Sequence, residues 1–410
     1  MAAMRILYIH QHFTTPRGAT GIRSYQMARH LIARGHSVTM MCGRGAQGRS
    51  GLDGPFRNGM RRGEVDGIDV IEIDLAYSNQ DNFARRSLTF LRFMLRTLSI
   101  VLFEQYDILF ATTTPLTVGV SGLFGRWLRR KPFVFEVRDL WPELPRAMGV
   151  IRNRFVLATL GSLEWASYRS ADRLIGLSPG IVSGIERRGV SPRRIALVPN
   201  GCDFDIFPSD GPKWSPHGVK ERDLVALFTG THGLANGLSS VLDAAAKLRE
   251  RGRSDIHIVL VGDGMMKPTL RERATRERLD NVIFLDPVPK TELSALVRRA
   301  DIGLQILANI PAFYYGTSPN KFFDYIAAGL PVLNNYPGWL AEMIVGEQCG
   351  YAVPPNDPEA FCNALCHAAD HSNLLAEMGR RAQALARARF DRRLLADQWA
   401  EWVLGATEIG

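Results

Sequence analysis

Short apolar runs and longer amphipathic stretches alternate along the whole chain. Arg5–His10 reads as a buried strand. Tyr25–Arg34 repeats its apolar residues at helical spacing and is closed by Gly35. Ser37–Cys42 is a second apolar run, and Ile108–Ala111, Phe133–Val137, Leu174–Leu177 and Ile195–Val198 follow with helical stretches between them. The second half repeats the scheme. Val225–Thr229, Ile256–Val261, Val282–Leu285, Ile302–Ile306 and Pro331–Asn334 read as strands, and Ser239–Arg251, Lys267–Arg278, Thr291–Ala300 and Asn320–Ala328 as helices. Strands that are apolar throughout, each followed by a helix, predict parallel sheets covered on both faces. The Gly- and Pro-bearing stretch Gly201–Asp223 has no period and reads as a linker. The pattern therefore predicts an α/β chain of two Rossmann-like doubly wound domains, 1–205 and 206–385, with a cleft between them. A last piece, 386–410, is expected to pack back towards the first domain, on a single helix over about Leu374–Trp402. Ligands of doubly wound sheets bind outside the carboxyl ends of the strands.

Composition removes several classes. The 410 residues are 46% hydrophobic and 22% charged, which excludes disorder, collagen and a coiled-coil rod. The net charge of +9 is uneven: residues 1–205 hold 28 Lys+Arg against 17 Asp+Glu, whereas the remainder holds 22 against 24. That asymmetry points to an anionic partner for the first half. Five cysteines, an odd number with no CxxC pair, argue against a disulfide framework or a zinc ribbon. Cys362, Cys366 and His367 read as a small buried helix face. Met1–Tyr8 runs straight into a strand without a signal-peptide pattern. No stretch of about 20 apolar residues exists; Phe90–Phe103 comes nearest and is broken by Arg92 and Arg96. A reduced, cytoplasmic location is expected.

Two motifs mislead. Gly43-Arg-Gly45-Ala-Gln-Gly48 matches GxGxxG but follows the second strand, and the Gly- and Pro-bearing residues after it cannot open a helix. Asp203-Phe-Asp205 has a metal-site spacing but lies in the linker and reads as a turn. Others inform. His10-Gln-His12 to Gly18 and Arg23 is a Gly-bearing loop before a helix, and Arg23 falls in the first helical turn, where a cation opposes the helix dipole. Glu136, Arg138, Asp139, Trp141 and Glu143 cluster at a strand's carboxyl end, where carboxylates beside an Arg can orient a hydroxyl. Gly230-Thr-His232-Gly233 to Asn236 is again strand, Gly loop, helix. In Ser318-Pro-Asn320-Lys321-Phe-Phe-Asp324, Ser318 reads as a helix cap. Lys321 occupies a first turn that disfavours a cation by about 0.3–1 kcal/mol. Asp324 lies three residues on, on the same face as Lys321.

Together these segments resemble the retaining glycosyltransferases of family 4, which have the GT-B fold, over nearly the whole chain. Phe135-Glu-Val-Arg-Asp-Leu-Trp-Pro-Glu143, Val198-Pro-Asn-Gly201 and Ser318-Pro-Asn-Lys-Phe-Phe-Asp-Tyr-Ile-Ala-Ala-Gly329 resemble the branch that builds O-antigen and capsule polysaccharides and includes amino-sugar transferases. The chain departs from the family pattern: its two spaced Glu fall at Gly316 and Asp324, its diphosphate-gripping Arg and Lys at Thr231 and Asn236, and its cleft His at Arg138. The resemblance implies a nucleotide-sugar donor, expected to be UDP-linked, held by Gly18, Arg23, Gly230, His232, Gly233, Asn236, Pro287, Val288, Ser318, Asn320, Lys321 and Asp324. It places the base near Asp286–Val288 and the ribose on Asp324. Arg138, Asp139, Glu143 and Lys321 are the expected catalytic residues, and His12 and Trp141 face a lipid-linked or saccharide acceptor. Neither a cofactor nor a metal is expected. Arg85–Phe103 reads as an amphipathic helix, with Arg85, Arg92 and Arg96 at helical spacings among Phe90, Phe93, Met94 and Leu98; it is a candidate contact with an anionic membrane surface. No nucleic-acid motif is present. An epimerase of the same fold and a non-catalytic nucleotide-sugar-binding protein are the alternatives.

Overall fold

The computed structural model describes residues 2–45, 49–78, 81, 83–207, 211 and 213–409. In chain order the first elements are β1 (Arg5–Ile9), α1 (Arg23–Ala33), β2 (Ser37–Gly45), β3 (Met60–Val65), β4 (Ile68–Tyr77), α2 (Phe83–Phe103), β5 (Ile108–Thr112), α3 (Val118–Trp127), β6 (Phe133–Val137), α4 (Glu143–Ala147), α5 (Arg154–Ser170), β7 (Arg173–Gly176), α6 (Pro179–Arg187) and β8 (Ile195–Leu197). They continue with β9 (Leu224–Thr229), α7 (Ser239–Glu250), β10 (Ile256–Val261), α8 (Lys267–Arg276), β11 (Val282–Leu285), α9 (Lys290–Arg299), β12 (Ile302–Gln305), α10 (Asn320–Ala327), β13 (Val332–Asn334), α11 (Trp339–Gly346), β14 (Gly350–Ala352), α12 (Pro358–Asp370), α13 (Ser372–Arg389) and α14 (Arg392–Leu404).

The chain forms two compact units. The first comprises Met1–Asn200, Tyr315–Ser318 and Arg392–Gly410, and the second Gly201–Tyr314 and Pro319–Asp391. The first boundary thus falls five residues earlier than the expected 205, and the return to the first unit at 392 rather than 386. The cause is local: the Cys202 amide donates to the Phe390 carbonyl at 2.7 Å, so both flanks of that ladder stay in the second unit. The four residues Tyr315–Ser318 were not expected in the first unit. Gly180 donates to the Tyr315 carbonyl at 3.1 Å, and the Asn200 amide to the Ser318 hydroxyl at 3.1 Å.

The first unit holds an eight-stranded sheet in the order β3-β4-β2-β1-β5-β6-β7-β8, parallel except where β3 and β4 form a hairpin. The hairpin departs from the strictly alternating scheme. β3 is half-exposed and carries Arg61, Arg62 and Glu64, so it has no apolar run to read. Its two-residue turn, Asp66-Gly67, has positive φ at both positions (50° and 82°), the geometry that Asp-Gly favours between twisted strands. β2 continues as strand through Gly45, so Gly43 and Gly45 belong to the sheet; Ala46–Gly48 lie outside the described residues. On one face of this sheet α14 inserts Trp399, which is fully buried against Tyr8 and Phe110. The single final helix expected over 374–402 is two, because the chain breaks at Phe390, buried against Phe323 with ring centroids 5.2 Å apart.

The second unit holds a six-stranded, fully parallel sheet in the order β11-β10-β9-β12-β13-β14. Leu227, Val259 and Gly303 lie side by side at its centre. A core of Leu, Ile, Val and Ala from β9, β10, β12, α7 and α12 fills one face. All five cysteines are free. No helix among the described residues is long and apolar enough to cross a membrane.

Candidate active site

In the second unit, the loop after β9, supported by the end of β10, meets the start of α10 around one cation. Gly230 follows β9 at φ +138°, a conformation that favours glycine, and a Cβ there would lie 3.4 Å from Lys321 Cε. Gly262 follows β10 and faces the Gly230 carbonyl so closely that a side chain has no room. Lys321, second residue of α10, places Nζ 4.0 Å from the centroid of the Phe228 ring and donates to Asn236 Oδ1 at 2.9 Å. The Asn236 amide is aimed by its own bond to the Thr231 carbonyl (2.7 Å). Burial pulls the Lys321 ammonium down to about 7. Among the described residues no carboxylate pairs with it.

Asp324 was expected beside Lys321, but it turns to Lys290 instead. Lys290 Nζ donates to Asp324 Oδ1 at 2.7 Å, and both side chains are buried. The carboxylate is therefore committed to an ion pair rather than open to a ribose. His232 is fully buried between the rings of Phe228 and Phe284, burial lowers its imidazole to about 4, and the ring is neutral. The backbone N–H groups of Gly230 and His232 are also engaged, with the carbonyls of Val261 and Asp263. The loop's contribution is thus mainly shape, together with the turn at Gly233. Pro287 and Val288 are half-buried in the loop after β11, next to Asp286, which pairs with Lys267 at 2.7 Å. Asn320 opens α10 and is half-buried. Ser318 does not cap that helix: Pro319 holds the cap position, and the Ser318 hydroxyl is engaged by Asn200. Ser318, Gly18 and Arg23 all belong to the first unit.

There Arg23 has a different role from the expected one. It is fully buried, donates to Glu136 Oε2 from Nε (3.0 Å) and Nη2 (2.8 Å), and reaches the carbonyls of Pro199 (2.6 Å) and Val198 (3.0 Å). Burial would push the Glu136 carboxyl up, but Arg23, Arg138 and the Thr112 hydroxyl together hold it below its usual range. Arg23 ties the β1 loop to β6 and to the segment after β8; four of its five N–H groups are engaged within the fold, and the side chain is fully buried. The Gly18 N–H closes a turn on the Thr15 carbonyl (3.0 Å), so it too is engaged.

The carboxyl ends of β1, β5 and β6 gather a second polar group. Arg138 donates from Nη1 to His10 Nε2 at 3.0 Å, which leaves the proton on Nδ1, 2.8 Å from the Ser24 hydroxyl. Burial, then the Arg138 and His12 charges, lower the His10 imidazole well below its usual value, consistent with that neutral tautomer. His12 stands edge-on to Tyr77 at 4.6 Å and is lowered to about 4 by burial. Asp139 is half-buried beside Thr114, and burial raises its carboxyl. Trp141 is half-buried in the same loop. Glu143 is not part of this group: it opens α4 on the exposed surface, 3.5 Å from Arg187. Asp203 is buried at the start of a turn. Among the described residues no group of three His, Cys, Asp or Glu could hold a metal ion.

Three participants escaped the sequence reading. Gln11 is buried beside His10, with neither amide atom bonded among the described residues. Lys267 and Lys290 each open a helix, the same first-turn cation signal that singled out Arg23 and Lys321, and applying it uniformly would have found them.

Two doubly wound, mainly parallel sheets with loops at their strand carboxyl ends define an α/β protein of two Rossmann-like units. The profile described as "Glycosyl transferase 4-like domain" matches residues 18–201, and "Glycosyl transferases group 1" matches residues 223–371. The chain belongs to the family-4-like glycosyltransferases of the GT-B fold. It is similar to the D-rhamnosyltransferase WbpZ of Pseudomonas aeruginosa, with 26% identity over 57% of this chain and 60% of that one. It is also similar to a putative colanic acid biosynthesis glycosyltransferase of Escherichia coli K12, with 24% identity over 48% of each chain. These matches span about half to three fifths of the relatives' lengths. The fold matches that of HepE from Anabaena, solved with UDP and glucose, with a TM-score of 0.67, 19% identity and coverage of 97% and 98%.

Proposed function

We propose that the protein transfers a sugar, an N-acetylated amino sugar by its branch resemblance, from a UDP-sugar to a lipid-linked or saccharide acceptor in cell-surface polysaccharide synthesis. The observation that carries the reading is Lys321: a cation shielded from water, at a helix start, opposed by an amide and a ring rather than by a carboxylate. Such a group is completed by an anionic ligand, and the diphosphate of a nucleotide-sugar supplies one. The UDP bound to HepE and the named sugar-transfer activities of the two relatives support the same ligand class.

Cleavage of the glycosidic bond develops negative charge on the β-phosphate. Lys321 and the α10 N-terminus stabilise that charge where it forms. In the retaining reaction the acceptor hydroxyl attacks the face the diphosphate leaves, and a phosphate oxygen takes its proton. His12, Arg138, Asp139 and Trp141 are the acceptor-side residues of this reading, with Asp139 accepting a hydrogen bond from the acceptor hydroxyl. No metal is required for these steps. The base rests against the Asp286–Val288 loop. A screen of UDP-sugars with lipid-pyrophosphate-sugar acceptors tests the proposal. Acceptor-dependent UDP release is expected. Conversion of the donor without acceptor would mean an epimerase, and unchanged donor despite UDP binding a non-catalytic binder; either overturns it.

A further inference from the structure

On the face of the first sheet opposite α14, helices α2, α3 and α5 pack side by side. Two of them, α3 and α5, turn mostly small or polar residues inward and large apolar ones outward, and α2 is apolar on both sides. α3 turns Gly119, Ser121, Gly122 and Gly125 inward against Phe133, Ser167 and Leu109, and leaves Phe124, Trp127 and the following Leu128 exposed. α5 buries Glu164, Ser167 and Tyr168 and exposes Phe155 (84%) and Trp165 on the opposite side. On α2 the expected apolar residues Phe90 and Phe93 are core, so the sequence had the wrong side for a surface contact. The exposed stripe is Leu88, Leu91, Arg92, Leu95, Arg96 and Phe103. A water-facing helix normally does the reverse. Of nineteen exposed large apolar side chains among the described residues, ten lie on or directly after these three helices, so the apolar exposure is concentrated rather than scattered.

Charge says what covers the layer. The three helices contain seven Arg and one acid, and that acid, Glu164, is buried and paired with Arg188 at 2.5 Å. Arg92, Arg96 and Arg154 are exposed, and Arg126 and Arg169 lie over the rings of Trp127 and Trp165. Leucine, tryptophan and arginine without exposed carboxylates suit the headgroup region of an anionic bilayer: rings and leucines enter the acyl boundary while guanidinium groups meet phosphates. We propose that this three-helix layer is a docking surface for an anionic phospholipid membrane. The proposal stands apart from the sugar-transfer reading and is tested without activity.

The full chain is mixed with vesicles of phosphatidylcholine, with or without phosphatidylglycerol, and floated on a density gradient. Flotation with the anionic vesicles, falling with salt, is expected. Each neutralised surface arginine should weaken partitioning roughly fivefold. The charge reversal Arg92→Glu with Arg96→Glu should therefore lower it by more than tenfold. The triple variant Phe155→Ser, Trp127→Ser, Trp165→Ser should lose the salt-resistant fraction, with the circular dichroism spectrum unchanged. Absence of flotation, or flotation of both variants like the parent, would overturn the proposal. So would a stable dimer in sedimentation that the aromatic variant dissolves, since a second copy would then be what covers the layer.

Discussion

Arg23 and Lys321 occupy equivalent places in the sequence: each follows a strand and a loop and stands in the first turn of a helix, where the dipole opposes it. Their surroundings differ completely. Arg23 meets a buried carboxylate and two carbonyls. Lys321 meets an amide and a phenyl ring. Lys267 and Lys290 resemble Arg23, each closing on an aspartate. An unfavourable cation is thus no sign of ligand binding by itself. Its function is decided by whether the fold supplies its counterion, and of these four only Lys321 is left to be matched from outside.

The comparison breaks most severely if the paired cations prove dispensable. Arg23→Met strands the Glu136 carboxylate in the core, and a loss of about 3–5 kcal/mol in urea unfolding is expected. Lys290→Met should cost a comparable amount by removing the buried cation that Asp324 faces. A change below about 1 kcal/mol in either would show that these pairs do not hold the fold. Lys321→Ala should do the opposite: turnover of the UDP-sugar falls about 10²–10³-fold, while the unfolding midpoint stays put or rises, since a poorly solvated charge is removed.

A smaller effect sharpens the contrast. Lys321 titrates at about 7 in the free protein, and only the protonated form attracts a diphosphate. Affinity for UDP-glucose, whose own charge is constant near neutrality, should fall by about tenfold between pH 6 and pH 8. Lys321→Arg should flatten that profile. The sign for stability is reversed. The unfolded lysine keeps its proton to about pH 10.4, so the ligand-free protein gains stability as pH rises from about 7 through that window, and Lys321→Met removes the gain. A flat affinity profile in the parent protein would contradict the assignment. The smallest effect is expected at Glu143, exposed and loosely paired: Glu143→Gln should change stability by less than about 0.5 kcal/mol and leave turnover near that of the parent.

The alternation of apolar strands and helices was legible because both sheets are buried on two faces, so each strand is a continuous apolar run. The β3–β4 hairpin was not, since its edge strand is mostly charged and has no apolar run, although Asp66-Gly67 carried a readable turn signal. The site was legible in outline: Gly230, Asn236 and Lys321 do come together. The partners of its charges were not. Arg23 and Glu136 are 113 positions apart, and Lys290 and Asp324 are 34 apart. Periodicity reports which face a residue occupies, not which distant group the fold brings against it. The exposed side of α2 was misread for the same reason. Phe90 and Phe93 looked like the apolar surface until the packing of α2 on its neighbours showed that Leu88, Leu91 and Leu95 face outward.

The central claim is that Lys321, and not Arg23, grips the donor's diphosphate. Calorimetric titration of UDP into the parent protein and into Lys321→Ala at pH 6.5, as roughly the acid side of the Lys321 titration, addresses it most directly. The account predicts measurable UDP binding in the parent and a loss of at least about tenfold in the variant, with the ligand-free variant unfolding at the temperature of the parent or above it. Equal affinity in the two proteins would contradict it.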